Sequence, residues 1–353
     1  MTVLKLGSLF DGIGVFPLAA MHCGMEPVWA SEIEARPISI TKRHFPDMLH
    51  LGDITKINGA EVPPVDVITF GSPCQDLSQI GTRNGFAGKK SSLFYQAMRI
   101  IEEMRYATNG RYPAFCIWEN VAGAFSSNDR LDFAAMLRAF TGAEVSVPPR
   151  GWAHAGMVRG GRADTAWRLL DAQYWGEPAL VQRRKRVFVV ADFAGQRAGE
   201  VLFKPRTVLP FSTISGPGGL SATQRGGVSV AQTGRQVPIV RPFSLRRMRT
   251  MAQVGDQKGF CASFGRGGEP FPTLLASVTA PFSFWYEGEE RDGFLRVLTP
   301  LECERLMGLP ENWTKYGCKN EEISDHARYR ALGNSIALPC AEYVMAGIAE
   351  VMN

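Results

Sequence analysis

The stretch "LKLGSLFDGIGVFPLAAMHCG", residues 4–24, predicts a strand, a tight turn and a helix in succession. Residues 4–10 form an apolar, β-rich run, and residues 15–23 read as a helix that stops at Gly24. Between them, Gly12 and Gly14 allow the backbone to turn sharply and to approach a ligand. The stretch therefore predicts the first strand–turn–helix unit of an α/β sheet, with free N–H groups at the start of the helix.

The same alternation continues through the first half of the chain, which predicts a mostly parallel sheet with helices on both faces. Ligands of such sheets bind at the carboxyl ends of the strands. The further predicted strands cover residues 27–32, 65–70, 114–119, 167–172 and 186–191, a third strand ends at Asp53, and the predicted helices cover 92–104 and 129–140.

The chain divides by composition into a sheet domain with an insert. Residues 195–291 are rich in Gly, Pro, Ser, Thr and Arg and predict a small domain of short strands and loops. The catalytic domain would then comprise residues 1–194 and return over 292–353, where Thr299, Pro300 and Glu302 predict a capped helix. Residues 145–162 are expected to form a loop inserted in the sheet domain.

Composition excludes several classes of protein. The seven cysteines are scattered without a CxxC pair, so we expect neither a disulfide framework nor a metal site. No apolar run would span a bilayer and no signal peptide is evident, so we expect a cytoplasmic protein that contacts no membrane. The net charge is 39 − 34 = +5, and arginines concentrate at 182–188 and 241–249, which mildly favours nucleic acid as a partner.

Two acidic residues follow the predicted second and third strands. Glu32 and Asp53 could accept hydrogen bonds from ribose hydroxyls, or could be an ordinary helix cap and an ordinary turn aspartate. Each alternative is about equally well supported for either residue alone. Together with the glycine turn, the two carboxylates favour a cofactor with an adenosine moiety.

Two further side chains follow the central strands. Cys74 lies in "SPCQDLSQIG", residues 72–81, immediately after a buried strand, which is unusual for a core cysteine. Glu119 ends the apolar run "FCIWE" and could exchange a proton with a ligand, or could cap the following helix. A nucleophilic thiol and a carboxyl group are therefore expected in one pocket beside a nucleoside cofactor.

Taken together, these residues resemble the motifs of a known family, the cytosine-C5 DNA methyltransferases. Pro73-Cys74-Gln75, Glu119-Asn120-Val121 and Gln182-x-Arg184-x-Arg186 are the most specific elements of the resemblance. The others are Phe10-x-Gly12-x-Gly14, Glu32, Asp53, "RVLTPLECERLMGLP" (296–310), "GNSIALP" (333–339) and, inside the insert, "FPTLLAS" (271–277).

The resemblance implies a Rossmann-like class I methyltransferase with a seven-stranded, mostly parallel sheet and a small, irregular, β-rich target recognition domain. It implies that the enzyme flips a cytosine out of duplex DNA, that Cys74 adds to C6, and that C5 receives a methyl group at a short specific sequence. Glu119 would hold the base, and Gln182, Arg184 and Arg186 would complete the catalytic set, although Arg186 could equally be a strand residue bound to phosphate or solvent.

The resemblance also implies the cofactor, S-adenosylmethionine, with S-adenosylhomocysteine as product and no metal. Its expected binding residues are Phe10, Gly12, Gly14, Glu32, Ile33, Asp53, Ile54, Pro73, Leu93, Asn334 and Ser335. The expected DNA-binding residues are Ser78, Gly81 and Arg83 in a loop that closes behind the flipped base, with Thr273 and Leu274 in the recognition domain.

Two alternatives remain open at this point: a cytosine-C5 methyltransferase that acts on RNA, and a DNA-binding relative without catalysis. The expected partner is double-stranded DNA, methylated by a monomer in the cytoplasm of a prokaryotic cell or of one infected by its virus. A restriction endonuclease acting on the same site is a further expected partner in function, without a stable complex.

Overall fold

The computed structural model describes residues 2–72, 93–204, 239–242, 274, 282–286 and 293–352. They form two compact units. The first comprises Met1–Leu170, Lys185–Pro205 and Cys340–Asn353, and the second comprises Asp171–Arg184 and Arg206–Pro339. The domain bounds drawn from composition stay a prediction.

An eight-stranded sheet dominates the first unit. Its spatial order is β3-β2-β1-β4-β5-β8-β7-β6. The strands β1 to β5 run parallel to one another, whereas β8 is antiparallel to β5 and β6 is antiparallel to β7. The strands are β1 (Lys5–Leu9), β2 (Glu26–Ser31), β3 (Leu49–His50), β4 (Val67–Phe70), β5 (Phe115–Val121), β6 (Ala155–Arg159), β7 (Asp164–Asp171) and β8 (Lys185–Asp192).

Helices connect these strands, as the alternation predicts. The helix α1 ends at His22, and Gly24 follows with a positive φ of 75°, which is the stop that the sequence indicates. The helices of the first half and of the β8 connection are α1 (Val15–His22), α2 (Ala35–His44), α3 (Leu93–Ala107), α4 (Leu131–Thr141) and α5 (Ala198–Leu202).

Two predictions about the insertion and the fourth helix are wrong. Residues 145–162 are not a continuous loop, because Ala155–Arg159 pair with β7 and add an eighth strand to the predicted seven. The helix α4 begins at Leu131 rather than at residue 129, because Asn128, Asp129 and Arg130 have positive φ angles that no α-helix tolerates.

The core of the first unit lies around the two central strands. Every residue of β4 is buried, as are Phe115–Asn120 of β5. Phe70 and Trp118 from these strands pack against Phe94 of α3, with ring centroids 5.8 Å and 6.2 Å from that of Phe94. This aromatic packing fixes the ends of β4 and β5, which are the strands that precede Cys74 and carry Glu119.

Among the described residues, the second unit contains a smaller sheet and two α-helices of its own. The strands β9 (Ile239–Pro242), β10 (Phe282–Tyr286) and β11 (Gly293–Val297) form an antiparallel sheet in the order β11-β10-β9. Helix α6 (Pro300–Leu306) carries the predicted capping box between Thr299 and Glu302, and α7 (Asp325–Asn334) follows. Helix α8 (Leu338–Met352) returns the chain to the first unit.

Within the described ranges, no single helix is both long and apolar enough to cross a membrane. Only α7 and α8 taken together pass such a test, by length and composition, and they are bent by 43° relative to each other.

Candidate active site

The turn after β1 is built as the sequence predicts. Phe10, Gly12 and Gly14 all have positive φ angles, of 55°, 60° and 78°. A Cβ atom added at Gly12 would meet no atom within 4 Å, whereas one at Gly14 would lie 3.1 Å from the Phe45 ring. Gly12 therefore borders open space at the carboxyl edge of the sheet, and Gly14 is required for packing.

The carboxylate of Glu32 fixes this turn to the end of β2. Its Oε2 accepts a hydrogen bond from Gly12 N at 2.9 Å, and its Oε1 accepts from Ile33 N at 2.7 Å and Glu34 N at 3.0 Å. The bonds to Ile33 and Glu34 fix the connection between β2 and α2, and they are not a helix cap, because α2 begins only at Ala35. Since a carboxylate accepts about four hydrogen bonds, Glu32 retains one acceptor position on Oε2.

The other predicted cofactor residues of the first unit lie after β2 and β3 and at the start of α3. Asp53 accepts hydrogen bonds from Thr55 N and Thr55 Oγ1, both at 2.9 Å, and these bonds lower the pKa of its carboxyl group. Ile54 is buried, whereas Ile33 is 72% exposed and Leu93 is 39% exposed. Ile33 thus presents an apolar surface beside Glu32, which suits the face of an adenine ring.

Asp11 is a residue of this turn that the sequence interpretation missed. Burial raises the pKa of its carboxyl group to about 7; the hydroxyls of Ser8 and Thr41 lower it and the Glu32 charge raises it further. Neither carboxyl oxygen makes a well-directed hydrogen bond among the described residues. The only signal in the sequence was its position between Phe10 and Gly12.

We expect Asp11→Asn to alter the pH dependence of stability in the cofactor-free protein. Because the folded-state pKa of Asp11 is raised from 3.8 to about 7, its contribution to stability is complete below pH 4 and disappears as the pH rises through 7. The free energy of unfolding of the wild type should therefore fall by about 2–3 kcal/mol between pH 5 and pH 8.5, relative to the variant.

Urea titrations at several pH values measure this difference. Asp53→Asn is the matched control, since the lowered pKa of Asp53 leaves it ionised throughout that range. Parallel profiles for the wild type and Asp11→Asn would show that Asp11 is already ionised at pH 5.

The chain that leads to Cys74 is anchored to β5. Trp118 Nε1 donates a hydrogen bond to Ser72 Oγ at 3.1 Å, and Asn120 Nδ2 donates to the Ser72 carbonyl oxygen at 2.6 Å. All three side chains are buried. Asn120 and Ser72 are thus positioning residues that sequence reasoning named only as parts of motifs.

Glu119 lies beside this anchor and is paired with Arg186. Its Oε1 lies 3.0 Å from Arg186 Nε, and both side chains are nearly buried. The pairing follows from register, because Glu119 lies opposite Phe188 in the antiparallel β5–β8 ladder and Arg186 is its diagonal neighbour on the same face. A Cβ atom on Gly71 would lie 3.2 Å from Glu119 Oε2, so the end of β4 closely approaches this carboxylate.

Arg184 is buried within the second unit and binds main-chain carbonyl groups. Its Nη1 donates to Leu274 O at 2.8 Å, and its Nη2 donates to Gly333 O at 2.8 Å and to Ser335 O. The main-chain N–H of Arg184 donates a hydrogen bond to Asp171 Oδ1 at 3.1 Å. Arg184 therefore joins the Thr-Leu element to the Gly-Asn-Ser segment, two regions that the sequence assigned to DNA and to cofactor.

Gln182 and Asn334 also belong to the second unit. Gln182 is fully buried, and its side-chain amide makes no hydrogen bond to any residue that the structure describes. Asn334 is exposed at the end of α7, and Ser335 caps that helix. A buried amide without partners has donors and an acceptor ready for a further group.

The remaining predicted site residues lie outside the described residues. They are Pro73, Cys74, Ser78, Gly81, Arg83 and Thr273. Their roles stay predictions. Within the described ranges, no group of three or more His, Cys, Asp or Glu side chains is arranged to hold a metal ion.

Comparison with known proteins bears directly on this arrangement. The family model described as C-5 cytosine-specific DNA methylase matches residues 4–205 and 243–350, which is most of the chain. The solved structure of a Dnmt2 methyltransferase from S. pombe superimposes with a TM-score of 0.61, at 17% identity, over 99% of both chains. The predicted fold class, a Rossmann-like methyltransferase, is confirmed.

Two curated relatives are similarly identical to this chain but differ in length and in the reaction that their names give. The type II methyltransferase M.HhaI of Haemophilus parahaemolyticus is 23% identical over 367 residues, covering 100% of this chain and 96% of that protein. A DNA N-6-adenine-methyltransferase of Escherichia phage P1 is 24% identical over 463 residues, covering 98% of this chain. The present chain spans only 61% of the length of the phage protein.

The predicted enzyme class is confirmed at the level of the family. The family model extends across both parts of the sheet and the returning C-terminal helices, and it includes Glu119, Gln182 and Arg186. The chain belongs to the family of C-5 cytosine-specific DNA methylases.

Proposed function

We propose that this protein methylates carbon 5 of cytosine in double-stranded DNA at a short specific sequence, with Cys74 as the nucleophile and Glu119 as the group that holds the base. The observation that supports this most directly is the anchoring of Ser72 to Trp118 and Asn120. It ties the chain two residues before Cys74 to the strand that carries Glu119.

The chemistry requires a thiolate, because carbon 5 of cytosine is a poor nucleophile until a group adds at C6. When the Cys74 sulfur bonds to C6, the electrons of the C5–C6 double bond make C5 nucleophilic. Once C5 has formed its bond to the methyl carbon, loss of the C5 proton to water or hydroxide, with breakage of the C6–sulfur bond, would restore the aromatic ring and free Cys74.

Three of the other cysteines that the structure describes are poorer candidates for this nucleophile. Burial raises the pKa of Cys23 to about 11, and it raises the pKa of Cys116 and Cys303 well above the ordinary value. A thiol with a raised pKa supplies little thiolate at neutral pH.

Glu119 and Arg186 would act together on the base. The carboxylate of Glu119 is aligned by Arg186 Nε, and it would bind the cytosine through N3 and the exocyclic N4. A flipped cytosine offers this edge only outside the duplex, so extrusion of the base is part of the proposal. The Arg184 side chain would hold the recognition segment in place by its hydrogen bond to the main-chain carbonyl oxygen of Leu274.

The residues of the first unit fit S-adenosylmethionine, which supplies an electrophilic methyl group when bound. Gly12 borders open space, Glu32 keeps a free acceptor position, and Ile33 exposes an apolar side chain. Glu32 would bind the ribose hydroxyls and Ile33 would pack on the adenine. Asn334 and Ser335, which the sequence also assigns to the cofactor, belong to the second unit, and their role stays a prediction. The proposal includes no metal.

Trapping with 5-fluorocytosine tests the proposal. Because fluorine cannot leave C5 as a proton does, duplex DNA that contains the analogue should form a lasting covalent adduct through Cys74, visible by denaturing electrophoresis and peptide mapping. Cys74→Ala should bind DNA and form no adduct, whereas Cys318→Ala, which removes an exposed cysteine, should form it normally.

Two alternatives have distinct outcomes in the same experiment. An adduct with fluorinated RNA but not with DNA would favour an RNA substrate, and no adduct with either would favour a DNA-binding protein without catalysis. The phage P1 relative is named an adenine methyltransferase, so the identity of the methylated base must also be measured. Nucleoside mass spectrometry should find 5-methylcytosine, and N6-methyladenine would contradict the proposal.

We also propose that the enzyme acts as a monomer in the cytoplasm of a prokaryotic cell or of one infected by a phage. The compared curated relatives come from a bacterium and a phage, and M.HhaI is named a type II methyltransferase. A restriction endonuclease that reads the same site would be its partner in function, without a stable complex.

A further inference from the structure

Two segments outside the predicted site lie at the edge of the sheet that carries Glu119. Residues 122–131 follow the carboxyl end of β5 directly. Residues 148–154 precede β6, whose first residue, Ala155, pairs with Arg168 near the carboxyl end of β7. Because β7 ends where the chain turns back into β8, and β8 begins opposite Val121 of β5, both segments share the edge at which Glu119 lies.

The first segment contains a backbone turn that few side chains adopt. Asn128, Asp129 and Arg130 have φ angles of 47°, 52° and 73°, and left-handed residues other than glycine cost about 1 kcal/mol or more each. The buried Asp132 holds the turn, since it accepts hydrogen bonds from Ser127 Oγ at 2.5 Å and from Asn128 Nδ2 at 3.4 Å. Arg130 is therefore presented from an ordered, exposed backbone.

The second segment is fixed to this turn. Trp152 Nε1 donates a hydrogen bond to the Arg130 carbonyl oxygen at 3.0 Å, and the Trp152 ring packs against Phe133 with centroids 5.0 Å apart. The Arg130 guanidinium lies over Gly151, where an added Cβ would be 3.2 Å from Cζ. The main chain at Arg150, which precedes Gly151, therefore lies beside the Arg130 guanidinium.

Arg130 and the arginines of the 145–162 insertion fall into two groups, one at each edge of the sheet. At the far edge, Arg159 pairs with Asp164 at 3.2 Å and Arg162 pairs with Glu102, so their charges are compensated. At the Glu119 edge, Arg130 and Arg150 are exposed and form no ion pair within the part of the chain that the structure describes.

We propose that Arg130 and Arg150 bind the phosphate backbone of duplex DNA beside the catalytic edge, independently of the recognition domain. The inference rests on the proposed DNA substrate, and it assigns a role to the insertion at residues 145–162. Exposed Asp129 offsets part of the charge, so the patch offers two guanidinium groups to phosphates rather than a broad positive field. Such contacts strengthen binding without selecting a sequence.

The salt dependence of DNA binding tests this inference. Arg130→Asn suits the left-handed position, Arg150→Gln removes the charge but keeps a polar side chain, and the double variant combines them. The matched control is Arg111→Gln, an exposed arginine just ahead of β5, at the opposite edge. Binding of a non-specific synthetic duplex is measured at several KCl concentrations, together with S-adenosylhomocysteine binding and methylation kinetics.

Each single variant should lower the slope of log Kd against log [KCl] by about one, and the double variant by about two. Its KM for DNA should rise while its kcat and its affinity for S-adenosylhomocysteine stay unchanged. An unaltered slope in the double variant, or an equal loss in Arg111→Gln, would overturn the inference. Failure of the wild type to bind or methylate DNA would instead overturn the proposed function.

Discussion

Glu119→Gln is expected to lower kcat by about 10²–10⁴-fold, the range usual for a positioned acid–base group. The substitution preserves the shape of the side chain beside Gly71 but removes the charge that binds the base and pairs with Arg186. Binding of duplex DNA should be retained, because the loss falls on the chemical step. Single-turnover methylation of a cognate duplex measures the effect.

A second variant separates catalysis from support of the fold. If Glu119 served only to neutralise Arg186, and Arg186 had no catalytic part of its own, then Glu119→Gln combined with Arg186→Gln would remove both charges and restore activity. We expect no such rescue. Single-turnover rates within threefold of the wild type, in either the single or the double variant, would remove the proposed role of Glu119.

Glu304→Ala is expected to destabilise the second unit by about 3–5 kcal/mol, as removal of one partner from a buried ion pair does. Glu304 is fully buried in α6, and its Oε1 lies 3.1 Å from Arg328 Nη2. The same carboxylate accepts hydrogen bonds from Thr314 and from Asn312 N. The alanine variant leaves the buried Arg328 guanidinium without this carboxylate.

The same unit supplies a control for this prediction. Arg305 and Glu311 form an ion pair in which the Glu311 side chain is 56% exposed, and Glu311→Ala should cost less than about 1 kcal/mol. Glu304→Met combined with Arg328→Met should recover most of the lost stability, because no charge remains buried. Urea unfolding with matched m-values checks the set, and equal losses for Glu304→Ala and Glu311→Ala would contradict the prediction.

Features set by local sequence were predicted well. The capping box of Thr299 and Glu302, the stop at Gly24 and the glycine turn at residues 12–14 each depend on residues a few positions apart. The strands β4 and β5 are continuous apolar runs, which mark buried strands whatever their neighbours.

Features that depend on contacts between distant residues were not predicted from the sequence. The strand β6 alternates exposed and half-buried residues, and it contains Gly156 and is flanked by Gly151, Gly160 and Gly161, so only its pairing with β7 makes it a strand. The guanidinium of Arg184 binds carbonyl groups 90, 149 and 151 residues away, which no spacing rule reveals. The left-handed turn at 128–130 is held in part by Trp152, which donates a hydrogen bond to the Arg130 carbonyl oxygen from 22 residues away.

The contacts of Arg184 carry a consequence for how such an enzyme diversifies. Every residue has a carbonyl oxygen, so an anchor at the Leu274 carbonyl places no demand on side-chain identity there. Side chains next to Leu274 in the sequence can therefore be replaced by others that prefer a different target, while the hydrogen bond from Arg184 to the segment is kept. In the proposed recognition role, the target preference of this segment could therefore change during evolution while its attachment through the Leu274 carbonyl group stays the same.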